Sequence, residues 1–370
     1  MDRSKPTFID KLVRTAALIL VLMLIMGTLA GKVDPRNFKY FPFFGLAYPY
    51  ILMLNIIMIV WWCIRKRWIF AGGTLVLILL GWHALTATIS LTGEKGEGPK
   101  ADSSIVRMMT YNVHGFKPHE GQEFERVKHQ MLKLIEDQNP DIIGFQEYYT
   151  RRRGTFDITD SLKTILKTPY YYFVSSSEND YEASGLAIFS KYPIINKGVI
   201  PFGNNHIGNG SIFIDVEVNQ KKLRVYNVHL QSISFDKQDY NYLDKVKKSM
   251  DPDLQPSKRI AGMLKNAFMK RSMQVDLMKA HMGNCSIPYL IAGDFNDTPA
   301  SYAATQMTKS LKSTFREKGS GFGQTYNGKF PNFQIDYIAV TKDIEVLNHL
   351  VIPAKLSDHF PVRSDLRLTR

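Results

Sequence analysis

Hydrophobic positions along the chain change rhythm near residue 100. Before it they run almost unbroken; after it they come in short stretches separated by turns. Three apolar stretches, 12–30, 48–64 and 68–91, are each long enough to cross a bilayer as a helix. Thr92 to Ser104, "TGEKGEGPKADSS", is polar and glycine-rich and reads as a linker. Beyond it, "IVRMMTYNV", "DIIGFQEY", "GLAIFSKYPI", "PYLIAGDFND" and "FQIDYIAV" read as strands. "SIFIDVEVNQKKLRVYNVHL" alternates as a hairpin turning near Asn219 and Gln220. Phe124, Val127, Met131, Leu134 and Ile135 have helical spacing, ended by Asn139-Pro140. "RIAGMLKNAFMKRSMQVDLMKAHM" reads as one helix or two. Strands in hairpins with interspersed helices predict two mostly antiparallel sheets packed together with helices outside. No glycine fingerprint follows a strand, which argues against a Rossmann or P-loop architecture.

Charge gives the first segment an orientation. Residues 1–100 hold 12 Lys+Arg and 5 Asp+Glu, and the remainder holds 35 and 29. The downstream part is thus only mildly basic, too little by itself to argue for nucleic acid. Arg3, Lys5, Lys11, Arg14, Arg65, Lys66 and Arg67 fall on one side of the three spans. The positive-inside rule then predicts a cytoplasmic N-terminus, with everything after Leu91 outside the cytoplasm. A bacterial inner membrane is the expected location. Trp61, Trp62 and Trp68 mark the inner boundary, and Asn55 and His83, inside spans, are expected to bond a neighbouring helix or backbone. The two cysteines, Cys63 and Cys285, exclude a disulfide framework.

"LIAGDFND" raises the chemical question. A core strand ends in acid, apolar residue, amide and acid, with Gly293 expected to break the strand and Asp294 and Asn296 to point the same way. A carboxylate leaving a core strand is costly without a partner. The same oddity recurs at Asn112 and His114, at Glu147, at Asn227 and His229, at Asp336, and at Asp358 and His359. Each alone reads as a turn former, but one shared cavity at the strand ends explains them together. Carboxylates and amides without thiols suit a hard cation, Mg²⁺ or Mn²⁺, over structural zinc. Such a cation beside imidazoles and a water-orienting carboxylate implies hydrolysis of a phosphate ester.

"TYNVHGF", "GFQEYY", "SGLAIFSKYPI", "YNVHLQS", "IAGDFNDTP", "QIDYI" and "LSDHFPV" resemble, in order, the motifs of the endonuclease/exonuclease/phosphatase superfamily from about Ile105 to the C-terminus. The resemblance implies a DNase I-like four-layer α/β sandwich, preceded here by a three-helix transmembrane region. The domain layout expected is 1–91 transmembrane, 92–104 linker and 105–370 catalytic. Carried over by position, Glu147, Asn112 and Asp358 would hold the metal. Asp294 would orient or activate water, and Asn296 would help hold it and the phosphate. His229 would stabilise the transition state. His359, oriented by Asp336, would contact the phosphate or act as acid/base. One departure concerns His229: where pancreatic-type DNases place a glutamate partner, this chain has Ser184, and Glu182 is the expected substitute. His114 and Asn227 are expected to support the site. Arg151 to Arg153 read as a solvated loop or a polyanion contact, and the basic aromatic insertion Phe235 to Lys270 as a surface excursion or a substrate contact.

The expected function is a membrane-anchored, Mg²⁺-dependent phosphodiester hydrolase. Nucleic acid is the first substrate class and phospholipid or phosphoinositide headgroups the second. A non-catalytic binding module ranks below both, because none of the expected metal ligands is missing.

Overall fold

The computed structural model describes residues 8–93, 96–118, 123–203, 208–233, 235–249, 253–328 and 333–369. The chain forms two units: Met1–Thr88 with Thr298–Gln306, and Ile89–Asp297 with Met307–Arg370.

The first unit is helical: α1 (Phe8–Ala30), α2 (Phe41–Leu46), α3 (Tyr48–Ile64), α4 (Trp68–Leu80) and α5 (Trp82–Thr88). Asn55 Nδ2 donates to the Leu20 carbonyl at 3.1 Å and the Ile51 carbonyl at 2.8 Å, which is the bonding expected of it. Segment 298–306 belongs to this unit, and Gly45 admits it. A Cβ at Gly45 would stand 3.0 Å from the Ala300 carbonyl and 2.9 Å from Ala30 Cβ. Of the three expected spans, α1 alone is a single helix long and apolar enough to cross a membrane. The second, α3, has 17 residues. The third is not one helix: α4 and α5 meet at Gly81 with a bend of 77°. Large apolar side chains stay exposed around these helices, among them Leu18, Leu22, Ile69 and Leu80. Apolar surface of this kind marks contact with lipid or protein. Of the charges that set the expected orientation, Arg3 and Lys5 lie outside the described residues.

In the second unit the chain runs through β1 (Ile105–Asn112), α6 (Phe124–Gln138), β2 (Ile142–Arg151), α7 (Ile158–Leu166), β3 (Tyr171–Glu178), β4 (Glu182–Ser190) and β5 (Ile194–Pro201). It continues through β6 (Gly210–Val218), β7 (Lys221–His229), α8 (Lys237–Ser249), α9 (Leu254–Gly283) and β8 (Tyr289–Asp294). After α10 (Tyr302–Met307), which up to Gln306 belongs to the first unit, come β9 (Lys312–Ser313), α11 (Thr314–Lys318), β10 (Asp336–Val340), β11 (Ile344–Val346), β12 (Leu350–Val351) and β13 (Val362–Leu368).

One sheet has the order β11-β13-β1-β2-β4-β3, with β12 on β13; the other has β5-β6-β7-β8-β10-β9. β1–β2 and β7–β8 are parallel, and the remaining pairs are antiparallel. Alternation explains the layers. Val106, Met108, Ile188, Ile214, Val225, Leu290 and Ile338 fill the space between the sheets. Met109, Tyr111, Ile143 and Phe145 face the other way and meet Val127, Met131, Ile158 and Leu162 of α6 and α7. On the far side Tyr226 Oη lies 2.9 Å from His281 Nδ1 of α9. Helix, sheet, sheet and helix thus make the four-layer α/β sandwich. The β6–β7 hairpin turns where expected, with Asn219 and Gln220 at φ 49° and 65°, the left-handed pair a two-residue turn needs. Segment 96–104 packs along this unit: Lys100 Nζ lies 2.6 Å from Asp141 Oδ2, and the Gly98 carbonyl accepts from Arg107 Nη2 at 3.0 Å.

Candidate active site

The strand positions that face the inter-sheet core turn polar at one end of it. In β7, β8 and β10 the ladder puts His229 opposite Asp294 and Asp294 opposite Asp336, one row across three strands. In the other sheet Asn112 stands opposite Gln146. Between apolar core and polar end lies a strut. Asn227 Nδ2 donates to the Phe145 carbonyl at 2.8 Å and the Ala187 carbonyl at 3.1 Å, while its Oδ1 accepts from Gln146 Nε2. This supporting residue ties the two sheets together immediately below the site.

The backbone departs from the extended form where the site needs it. Glu147 has φ 51°, at a bulge where the β2–β4 register shifts between Phe145 and Tyr148. A non-glycine residue in the left-handed region inside a strand is strained, and bulges re-aim side chains. Asn296 also sits at φ 53°. Its N–H donates to Asp294 Oδ1 at 2.7 Å and its Nδ2 to the Leu230 carbonyl at 3.1 Å. Asp294 and Asn296 are therefore brought together by a turn, not by alternation along extended chain. Nor does Gly293 break the strand. It lies inside β8 at φ 143°, where a Cβ would stand 2.0 Å from the Val228 carbonyl.

The expected site residues converge. Asn112 Nδ2 donates to Asp294 Oδ2 at 3.0 Å and to Glu147 Oε1 at 3.4 Å. His229 Nε2 lies 3.6 Å from Asp294 Oδ2 and 4.0 Å from Glu147 Oε1. His359 Nε2 lies 3.7 Å from Asp294 Oδ2, and its Nδ1 is 2.9 Å from Asp336 Oδ2. His114 Nδ1 is 3.3 Å from Glu147 Oε2 and 4.0 Å from Asp358 Oδ1.

Glu182 does not partner His229. It accepts from the Tyr149 hydroxyl at 2.5 Å and lies 3.5 Å from Arg151 Nε. His229 Nδ1 instead donates to the Gly208 carbonyl at 2.8 Å, since a carbonyl can only accept. That fixes the imidazole's orientation and leaves Nε2 facing the carboxylates. A backbone carbonyl leaves no mark in the sequence. Ser357 was also missed, although it sits in "LSDHF". Its hydroxyl lies 3.1 Å from Asp358 Oδ1 and 3.0 Å from the Asn112 carbonyl, and it accepts from the His359 N–H at 3.3 Å. Tyr326 presents its ring to His359 at 5.4 Å, and Tyr240 of α8, inside the basic aromatic insertion, lies beside the Tyr326 hydroxyl.

Electrostatics separates the acids. Burial pushes the Asp294 carboxyl up, against the pull of the His359 and His229 charges. Burial also opposes ionisation of Glu147, but the His114 bond and the imidazole charges outweigh it and bring it down to about 2. His359 loses by burial and gains more from Asp336 and Asp294, so it stays protonated well above its ordinary range. The bond to Glu147 raises His114.

Residues 109–359 match the endonuclease/exonuclease/phosphatase family, and residues 10–88 match a domain family of unknown function. The chain belongs to the endonuclease/exonuclease/phosphatase family. Members of this family are in general phosphoester hydrolases that use divalent metals. No curated protein matches the chain. Among solved structures, the human Nocturnin catalytic domain with bound sulfate is 16% identical with a TM-score of 0.50, the match covering 72% of this chain and 95% of that one. A family protein from Beutenbergia cavernae is 18% identical, covering 71% and 72%, with a TM-score of 0.48. A humanised TDP2 from D. rerio is 14% identical, covering 72% and 100%, with a TM-score of 0.49. The Nocturnin likeness supports the sandwich fold and nothing finer.

The donors present fit a divalent cation. Glu147, which stays ionised, and Asn112, 3.4 Å from it, offer oxygen donors, with Asp358 beside them across His114. The buried group Asp294, Asp336 and His359, whose ligand atoms lie within 4.8 Å of one another, adjoins them. His229 Nε2 and Asp336 Oδ1 are buried without a hydrogen-bond partner among the described residues. Oxygen-rich, thiol-free donors of this kind suit magnesium or manganese.

Proposed function

We propose that the chain is a divalent-metal-dependent hydrolase of phosphodiester bonds, held at a membrane by α1. The observation that carries this reading is the single row His229–Asp294–Asp336, closed by His359 and faced by Glu147 and Asn112. Glu147, Asn112 and Asp358 would hold Mg²⁺, with Mn²⁺ as the alternative. The bound ion would neutralise charge on the phosphate oxygens.

The chain's own residues supply the rest. Asp294, whose proton affinity burial has raised, takes a proton from the attacking water, and Asn296 helps hold that water. His229 and His359 face the phosphate oxygens. Asp336 keeps His359 oriented and charged, as an acid behind an imidazole does. As the water oxygen adds to phosphorus, the bond to the leaving alcohol breaks and that oxygen takes the proton of the charged His359, which the proton gained by Asp294, 3.7 Å away, can replace. Nucleic acid is the first substrate class to test and phospholipid the second.

The test is the full chain in nanodiscs with Mg²⁺, offered plasmid DNA, RNA, sphingomyelin, phosphoinositides and bis(p-nitrophenyl) phosphate in parallel. Hydrolysis that needs the cation and is lost in Glu147→Gln and His359→Ala supports the reading. Wild-type rates in both variants would show that the site is wrongly assigned.

A further inference from the structure

Beside the catalytic row, the edges of the two sheets part. β3 and β4 of one sheet and β5 and β6 of the other border a groove of about 510 Å³. Val174, Leu186, Val199, Ile200, Phe202 and Ile212 make it apolar, and no charged side chain lines it among the described residues. We propose that this groove holds an acyl chain of a phospholipid substrate whose phosphodiester lies at His229 and Asp294. The proposal rests on the phosphodiesterase reading and names its substrate class.

Two observations support it. The groove is continuous with the site. Gly208, at its margin, is the residue whose carbonyl holds His229 at 2.8 Å, and Gly210, also lining it, stands opposite His229 in the β6–β7 ladder. Among the described residues the groove therefore lies next to His229.

The lining also chooses between ligand classes. A nucleic acid strand is held by cations along its phosphates and by aromatic faces beneath its bases. Among the described residues the groove supplies no cation and one aromatic ring, Phe202. Aliphatic side chains with a few polar groups suit a hydrocarbon instead, and the volume is in the range of small-molecule pockets.

The experiment uses the full chain in detergent micelles with Mg²⁺. The substrates are phosphatidyl-p-nitrophenols carrying butanoyl, octanoyl or dodecanoyl chains, with bis(p-nitrophenyl) phosphate as a chainless control. From butanoyl to octanoyl, kcat/KM is expected to rise about a hundredfold, from the methylenes removed from water. Val199 is 46% exposed on β5, so Val199→Arg alters the groove without opening the core. It should abolish the chain-length gain and leave the control rate unchanged. A wild type indifferent to chain length, yet active on the control, overturns the groove and leaves the phosphodiesterase reading intact. So does plasmid cleavage that Val199→Arg slows as much as lipid hydrolysis.

If no diester is hydrolysed, the phosphodiesterase reading fails and the groove is read separately. A diazirine-acyl phosphatidylcholine is photolysed with wild type, Glu147→Gln and Val199→Arg. Adducts on the β5–β6 hairpin in the first two and not the third keep the acyl site. Absence of adducts there, or equal labelling in all three, overturns it.

Discussion

The two ends of β1 treat charge in opposite ways. At its start, Arg107 is buried and grips Asp365 through two bonds, Nε to Oδ1 at 2.7 Å and Nη2 to Oδ2 at 2.9 Å. Asp141, next to it, meets Lys100 at 2.6 Å and Lys191 at 3.7 Å and accepts the Arg107 N–H at 2.8 Å. Burial works against the Asp365 carboxylate, yet the Arg107 and Asn348 bonds hold it below the usual range. At the other end of the strand, Glu147, Asp294, Asp336 and Asp358 pair with three imidazoles, and no lysine or arginine bonds any of them among the described residues. At one end, the closed one, each acid is paired with a lysine or arginine of the chain. The other leaves acids for something outside the chain to neutralise, which is the mark of a site.

The largest effect that tests this contrast is on rate. Glu147→Gln and His359→Ala should each lower kcat/KM for any hydrolysed diester by about three to four orders of magnitude, with melting little changed in Glu147→Gln and lowered in His359→Ala, which leaves the buried Asp336 unpaired. Next comes stability at the closed end. Arg107→Ala or Asp365→Ala strands a buried charge and should cost about 3–4 kcal/mol, read by urea unfolding, while the rate per folded molecule stays at wild type. The double change Arg107→Met with Asp365→Leu should restore much of that loss. If Arg107→Ala instead abolished the rate in folded protein, the two ends would not be separable.

The contrast shows what a sequence carries and what it hides. Polar residues ending apolar strands were legible, because the period of two that fills the inter-sheet core with Val225, Ala292 and Ile338 also brings His229, Asp294 and Asp336 to the same face. The hairpin at Asn219 and the helix of α6 were legible for the same reason, a local period or turn. The bend at Gly81 was not, since "LLGWHAL" keeps its hydrophobicity through it. The left-handed turns at Glu147 and Asn296 were hidden too, because tertiary contacts impose them on residues that do not require them. The Gly208 carbonyl was the least visible, being a backbone atom brought to His229 by a distant loop.

A cation should distinguish the ends directly. Saturating Mn²⁺ binds folded protein and not the unfolded chain, adding about 2.7 kcal/mol when the free ion exceeds Kd about a hundredfold. The melting temperature should rise with Mn²⁺ in wild type and in Arg107→Ala, starting from a lower value in the latter, and should not rise in Glu147→Gln. A wild type that melts at one temperature with or without Mn²⁺ or Mg²⁺ would remove the open-end argument.

The smallest effect compares two buried histidines. His359 is charged because acids surround it, whereas His349 lies next to Asn348, a partner of Asp365, with its Nδ1 2.8 Å from Thr314 Oγ1. Burial alone acts on His349 and lowers it from 6.5 to about 4. The unfolded chain therefore binds a proton that the folded one refuses between those values. Stability from this group is complete above pH 6.5 and falls as pH drops toward 4, by about 2 kcal/mol between pH 7 and pH 5. His349→Gln keeps a polar partner for Thr314 and removes the titration, so its loss of melting temperature between pH 7 and pH 5 should be smaller than that of wild type. Equal losses in the two proteins would mean that His349 takes up its proton without unfolding anything, and that the closed end is less closed than its geometry implies.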